Sequence, residues 1–400
     1  MKIYNCAVLY LSLIILFGCS EKSKSNNISK RYRTTYEINS LMLIYDSPLA
    51  KLMGEFELTK NGNVRNALNG INSVKSSFNE NELKSLLIDY DKIDAKEFII
   101  DKSNDHRITI INEAHSMPSH RVFTESILQG LYDSGYRYFG IETLGNGQAC
   151  DTLLNKRGYP VLNSGFYSAE PMYGNLIRKA LEIGFQVFPY EATGPSDEIG
   201  REVLQAQNIN RIFEKDSSAK ILVHCGFDHV LEGTHSFFKK CMAQNLEDFS
   251  GHEVFTIDQV VFSEYRGFES VDTVVDFLNV DKPTILSRRV NNEPFNDSLS
   301  SAKADVSIFH PRTEFINGRP DWIAQNGRKL ECLSVNNLIL TEAILVRVYK
   351  KGESTRKAVP IDVTELLPSQ KICCVSVPED DYVVIAQHGK YEYRVKVNDQ

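Results

Sequence analysis

Ile108-Thr109-Ile110-Ile111-Asn112-Glu113-Ala114-His115-Ser116-Met117-Pro118-Ser119-His120-Arg121 is the segment from which the rest of the chain can be placed. Four β-branched residues in a row suit a short buried strand. The strand runs into a polar corner, and Pro118 suits the first turn of a helix. Phe123, Ile127, Leu128 and Leu131 then recur at helical spacing. A strand that turns through polar residues into an amphipathic helix is the opening of an α/β unit.

The same alternation continues toward the C-terminus. Arg137–Ile141, Gln186–Phe188, Lys220–Val223 and Val254–Ile257 read as short strands. Between them come helical stripes. One contains Leu176, Ile177, Ala180, Leu181 and Ile183 and stops at Gly184. A second runs from Asp197 to Phe213, and a third includes Phe237, Phe238, Cys241, Met242 and Leu246. This predicts an α/β core over residues 105–282 with a mainly parallel sheet and flanking helices. The connection from Ile141 to Tyr173 is about thirty residues long and rich in Gly and Tyr. Loops of that length inside compact domains are often functional, so it is read as a lid or pocket wall.

Each predicted strand delivers an ionisable group at its carboxyl end. These are Glu113 and His115, Glu142, Glu191, His224 and His229, and Asp258. In α/β sheets that edge is where ligands bind. Glu113, His115, Arg121, Glu142, Glu191, His224 and His229 are therefore the candidate catalytic set. Free N–H groups at the start of the Pro118 helix, with Arg121 alongside, would favour an anion or a developing oxyanion. Glu113, His115, Glu142 and His224 also form an oxygen/nitrogen set suited to Mn, Co, Zn or Fe. The chain has no GxSxG elbow, HExxH pair, GxxxxGK[ST] loop or complete GxGxxG fingerprint. A water-activating hydrolase needs only a base, an acid and an electrophile, and Glu and His can supply these.

Asn112-Glu113-Ala114-His115, followed by Pro118, His120 and Arg121, resembles the superfamily that joins erythromycin esterases, ChaN haem-binding lipoproteins and Tiki/TraB proteins. Members begin their core with a GExH or GExxH strand exit. A glutamate follows the second strand and a histidine a later one. Here Glu113, His115, Glu142 and His224 or His229 match, and Arg121 matches the arginine of the following helix. Asn112 replaces the usual glycine, and the spacing is that of ChaN. The resemblance covers residues 105–262. It implies either hydrolysis of an ester, lactone or peptide bond, metal-assisted in some members, or haem and small-ligand binding. In the second case His120, Tyr159, Tyr167 or Tyr173 would be the axial or cofactor-binding residue.

The flanks complete the layout. Residues 1–18 carry one charge, Lys2, and an apolar run from Ala7 to Phe17. Eleven helical residues span about 16 Å against a bilayer core of about 30 Å, which fits a signal peptide and not a transmembrane helix. Leu16-Phe17-Gly18-Cys19 resembles a lipobox, with Cys19 as the lipidated N-terminus and residues 19–40 as tether. This implies anchoring in the bacterial envelope, with Ser20 compatible with the outer membrane. Residues 41–104 are expected to form a helical cap on the core, including a helix near 79–90. Residues 283–329 are expected to connect, and 330–400 to form a β-sandwich-like domain that ends in a hairpin. Forty-five basic and 52 acidic residues give −7 over 400 residues, with no tract basic enough to favour nucleic acid. A small molecule or peptide is the expected ligand, and no oligomeric state follows from the sequence. The six cysteines beyond Cys6 and Cys19 show no CxxC spacing and read as buried free thiols. Cys373 and Cys374 would face opposite sides of a strand.

Overall fold

The Ile108–Glu113 strand, β1, is buried along its whole length in the computed structural model of the chain. The structure describes residues 32–69, 81, 84, 88–264, 269–296, 301–335, 340–379, 381–388 and 391–395. The signal segment, Cys19 and most of the helix expected near 79–90 lie outside the described residues. The chain divides into two compact units, Ile71–Glu314 and Met1–Gly70 with Phe315–Gln400.

In the first unit, β1 sits inside a six-stranded sheet. Its partners are β2 (Tyr138–Ile141), β3 (Gln186–Pro189), β4 (Ile221–Gly226), β5 (Val254–Asp258) and β6 (Val306–Ser307). The order is β6-β5-β1-β4-β2-β3, and every neighbouring pair is parallel. The helices that connect the strands include α1 (Pro118–Asp133), α2 (Pro171–Ile183), α3 (Glu198–Lys215) and α4 (Met242–Ser250). Pro118 occupies the first turn of α1, Gly184 closes α2 in the left-handed region at φ 114°, and Asp197 caps α3. The fold is therefore the predicted α/β architecture.

Alternation along the strands decides which side chain meets which helix pair. Ile108 and Ile110 of β1 and Ile221, Val223 and Cys225 of β4 pack with Ala206 and Ile209 of α3 and Met242 and Leu246 of α4. Glu113 and His224 therefore point to the other face, where α1 and α2 lie against each other. Register then aligns the ends. Ile257, Ile111, His224, Ile141 and Pro189 form one row across five strands. The polar residues that follow this row all emerge at the same edge.

Two expected boundaries move. Residues 283–314 do not merely connect, since Val306–Ser307 extends the sheet beside β5 and Thr284–Arg288 pairs antiparallel with Tyr90–Asp94. Nor do residues 41–104 form one cap. Helices Thr35–Tyr45, Pro48–Lys60 and Val64–Asn69 group with the C-terminal unit, whereas Tyr90–Asp94 and helix Ala95–Ser103 belong to the α/β unit. An apolar stripe shows that a helix buries one face; it does not show which core receives it. The third predicted helix also begins later than its apolar residues suggest. His235 and Lys239 pair as a bridge, Lys239 is held at φ 64°, and α4 starts only at Met242.

In the second unit, β7 (Arg328–Ser334) pairs antiparallel with β10 (Ile372–Pro378). A four-stranded antiparallel sheet has the order β9 (Asp362–Leu366), β8 (Ile344–Lys350), β11 (Tyr382–His388), β12 (Tyr391–Val395). The last two strands form the expected hairpin. Ile344, Val346, Val348, Val375, Val377 and Val384 share its core. The reading of six free thiols is corrected here. Cys332 and Cys374 are register partners on β7 and β10 and form a disulfide. Cys150, Cys225, Cys241 and Cys373 are free, and Cys373 packs into the core on the opposite side of its strand from Cys374.

Candidate active site

The predicted catalytic set, Glu113, His115, Arg121, Glu142, Glu191, His224 and His229, lies at or beside the carboxyl edge of the sheet and forms two joined clusters. The first is built on the α1/α2 face. Glu113 ends β1, and Arg121 sits one turn into α1 directly beside it. The guanidinium grips the carboxylate in bidentate fashion, with Nε 2.5 Å from Oε2 and Nη2 2.7 Å from Oε1. Its Nη1 donates to Glu170 at 2.9 Å and its Nη2 to the carbonyl of His115 at 2.7 Å. Both Glu113 and Arg121 are buried. Burial raises the Glu113 carboxyl, but the Arg121 charge and the His115 hydrogen bond overcome it and hold it far below the usual range.

Two histidines complete this cluster in different ways. His115 places Nδ1 3.0 Å from Glu113 Oε1, and its ring stacks on Tyr167 at 4.0 Å. His224, from β4, is fully buried. Its Nδ1 meets the Tyr173 hydroxyl at 3.0 Å, and its Nε2 lies 3.8 Å from Glu113 Oε2. Burial pushes His224 down to about 4, although the Glu113 charge opposes this. It is neutral at physiological pH.

The second cluster gathers around Arg201 at the start of α3. Arg201 holds Glu191 in bidentate fashion at 2.9 and 2.6 Å and reaches Glu142 at 2.6 Å. Its Nη1 is 2.9 Å from His229 Nε2. His229 Nδ1 lies 2.6 Å from Glu202, whose other oxygen accepts the Met242 N–H that opens α4. Burial favours neutral His229, but Glu202 and Glu142 raise it to about 9. A neutral ring would accept from Arg201 at Nε2, whereas a charged ring would turn that N–H toward Glu142 at 3.5 Å. Three carboxylates around one guanidinium favour the imidazolium. Glu142 feels burial, which raises it, but His229 and Arg201 bring it down to about 2.

Gly226 joins the clusters. Its N–H donates to Glu142 at 2.5 Å. A Cβ at this position would stand 2.4 Å from His115 Cε1, 2.8 Å from its Nε2 and 3.2 Å from Glu142 Oε2. The His115 ring and Glu142 thus converge on one glycine face. Its φ of −91° is open to any residue, so Gly226→Ala tests space alone. This variant is expected to displace His115 from its place beside Glu113, read as a shift of the His115 ring resonances in NMR. Unchanged His115 resonances in that variant would show that the ring position does not depend on this glycine. The next residue, Phe227, sits at φ 44°, and its carbonyl accepts from Asn112, whose side chain also ties to Asp258 and the Gln259 N–H. Asn112 thus laces β1 to β5 and to the turn after β4.

The long Ile141–Tyr173 connection forms a folded wall. Thr143 Oγ1 accepts from the N–H groups of Tyr167 and Ser168, Leu144 bridges Gly165, and Asp151 pairs with Arg157 and Ser164. It delivers Tyr167 onto His115 and Glu170 onto Arg121.

The geometry also commits many of the expected metal- and cofactor-binding side chains to partners within the chain. Glu113, His115, Glu142 and His224 do not converge as metal ligands. Arg121 occupies Glu113, and Arg201 with the Gly226 N–H occupies Glu142. Among the described residues, no group of three His, Cys, Asp or Glu side chains is placed to hold a metal ion. The residues expected to hold a cofactor, His120, Tyr159, Tyr167 and Tyr173, each have a partner within the chain. His120 is buried against His310, and its Nδ1 accepts the Ala114 N–H. Tyr173 is buried on His224, Tyr167 is stacked on His115, and Tyr159 lies under Arg157. Arg121 cannot meet an anion at the start of α1, because both sides of its fork are spent inside. Arg201, Glu170 and Glu202 belong to the site but were not foreseen from the sequence.

The shifts predict how stability depends on pH. His224 and His310, the latter pushed by burial to about 3, refuse protons in the folded state that the unfolded chain binds below about 6.5. Their effect is lost stability as pH falls from 6.5. The Glu142 contribution is complete above 4.5 and lost toward 2. The His229 contribution is complete below 6.5 and lost as pH rises through 9. Tm measured by calorimetry from pH 4 to pH 9 is expected to peak near about pH 6. His229→Gln should flatten the alkaline limb. An alkaline limb identical in that variant would contradict the charged state of His229.

The class defined by fold and site is an α/β protein with a Glu/His/Arg cluster at the carboxyl edge of a parallel sheet. No protein-family model and no curated protein matches the chain. Among solved structures it is similar to the type III effector HopBA1, at 12% identity over 44% of this chain and 88% of that one, with a TM-score of 0.30. It is also similar to a Pasteurella multocida toxin whose C-terminal region carries a thiol-protease-like catalytic triad. That match has 10% identity over 86% of this chain and 51% of the toxin chain, with a TM-score of 0.28. Likenesses at this level carry no argument about function.

Proposed function

We propose that the protein is an envelope lipoprotein, anchored through Cys19, whose α/β unit hydrolyses an ester, lactone or peptide bond. The observation that carries this reading is the Glu113–His115 contact. A buried carboxylate, itself locked by Arg121, orients an imidazole that reaches the rim of the cluster. His115 remains 8% exposed, whereas Glu113 and His224 are sealed. Glu113, at the end of the first strand, is the other candidate for the water-activating base. Both of its oxygens are taken, so the base becomes His115 and Glu113 becomes its orienting partner.

The chemistry follows from that arrangement. Nδ1–H of His115 donates to Glu113, and Nε2 takes a proton from water as its oxygen attacks the carbonyl carbon. The imidazolium of His115 then returns its proton to the leaving oxygen or nitrogen. Water is the only co-reactant. A panel of esters, lactones and peptides, run with and without divalent metals and chelator, tests the reading. Chelator-resistant turnover of one class supports it, and no turnover of any member removes it. Mass spectrometry of the protein taken from cell membranes tests acylation of Cys19 separately.

A further inference from the structure

We infer that helix Thr35–Tyr45 docks the protein onto an anionic phospholipid surface, an inference that rests on the lipid-anchor reading above. The helix is well fixed on its inner side. Thr34 and Glu37 form a capping box, the Thr35 N–H donates to Glu365, and Ile38 packs with Leu58, Ala67 and Met42. Its outer side is unusual for a helix in water. Tyr36 is 80% exposed, Leu43 80% and Ile44 72%. Tyr36 and Leu43 are two turns apart and so share a face. Glu37 is the only charged residue within the helix.

The sequence before the helix supplies the complementary element. Between Cys19 and Thr35, Lys22, Lys24, Lys30 and Arg31 outnumber the single acid Glu21, and Arg33 pairs with Glu57. The whole-chain charge of −7 conceals this local basic run. Fully extended, residues 20–34 reach at most about 50 Å, so a lipid on Cys19 keeps the helix near the bilayer. Eleven residues span about 16 Å, too short to cross a membrane but suited to lying in its interface. Basic side chains meet the anionic headgroups, and the Tyr36/Leu43/Ile44 face enters the acyl boundary.

The test uses the unlipidated chain from Ser20 to Gln400, so that binding does not depend on the acyl groups. Vesicles of phosphatidylcholine containing phosphatidylglycerol are expected to retain it in cosedimentation, more weakly at high salt. Y36S/L43S/I44S should lower that affinity roughly tenfold or more with an unchanged Tm, since the changed side chains are exposed. K22Q/K24Q/K30Q should also weaken binding about tenfold and reduce its salt dependence. No binding by the parent chain, or equal binding by Y36S/L43S/I44S, overturns the inference. So does a change of oligomeric state in that variant with vesicle binding intact, which would assign the face to self-association. Unmodified Cys19 in membrane-derived protein would instead overturn the lipid-anchor reading, whatever the vesicle assay gives.

Discussion

His115→Gln is expected to lower kcat/KM on a responsive ester, lactone or peptide by about 10²–10⁴-fold, the usual contribution of a positioned acid or base. Glutamine keeps a polar group near Glu113 but cannot accept and return a proton. The ring lies at the rim, stacked on Tyr167, so its loss leaves the paired carboxylates and guanidinium below it intact. Tm should therefore change little. His224→Gln gives the contrast. That side chain is sealed between Tyr173 and Glu113, and burial keeps it neutral, so its loss should lower Tm more than it lowers turnover. If His224→Gln abolished turnover at an unchanged Tm while His115→Gln did not, the base would be assigned to the wrong histidine.

The contrast between these histidines also marks what the sequence could and could not reveal. Both follow a β-branched run, and a residue just past such a run at the carboxyl edge of a parallel sheet is legible as a site candidate. That is why Glu113, Glu142, Glu191, His224 and His229 were found together. Whether a given side chain reaches the rim depends on alternation and on what the helices place above it. Arg201 and Glu202 were missed because they read as the solvated start of an amphipathic helix. Their signal was position: the first turn of a helix capped by Asp197, immediately after the Glu191 strand end. Glu170 was hidden in a long loop, although a carboxylate just before Pro171 suits a helix cap. The guanidinium partners of the expected metal set were hidden for a related reason. Carboxylates and histidines ligate metals or pair with guanidinium groups, and only the fold shows Arg121 and Arg201 already in place. The Cys332–Cys374 disulfide required strand register, which spacing does not contain.

The second large effect belongs to Arg121, and it separates architecture from chemistry. Arg121 is buried between Glu113 and Glu170, with its guanidinium 4.7 Å above the Tyr173 ring. Arg121→Met keeps most of the volume and leaves two buried carboxylates uncompensated. Breaking a buried pair by removing one partner costs about 3–5 kcal/mol. In a unit of this size, that lowers Tm by roughly 6–20 °C. The direction of the pH response follows from the same argument. Glu113 is held far below its ordinary value chiefly by Arg121, and in the variant burial, opposed now mainly by the His115 hydrogen bond, raises it. The folded variant then binds protons more readily than the unfolded chain. Its deficit should be largest at neutral pH and should narrow as the solution becomes acidic. Adding Glu113→Gln to Arg121→Met removes one stranded charge and should recover part of the loss, which a double-mutant cycle would read as coupling. A variant that melts within about 1 kcal/mol of the parent at neutral pH would mean that the pair contributes no more than an exposed one. The orientation of His115 by a locked Glu113 would then have no structural basis.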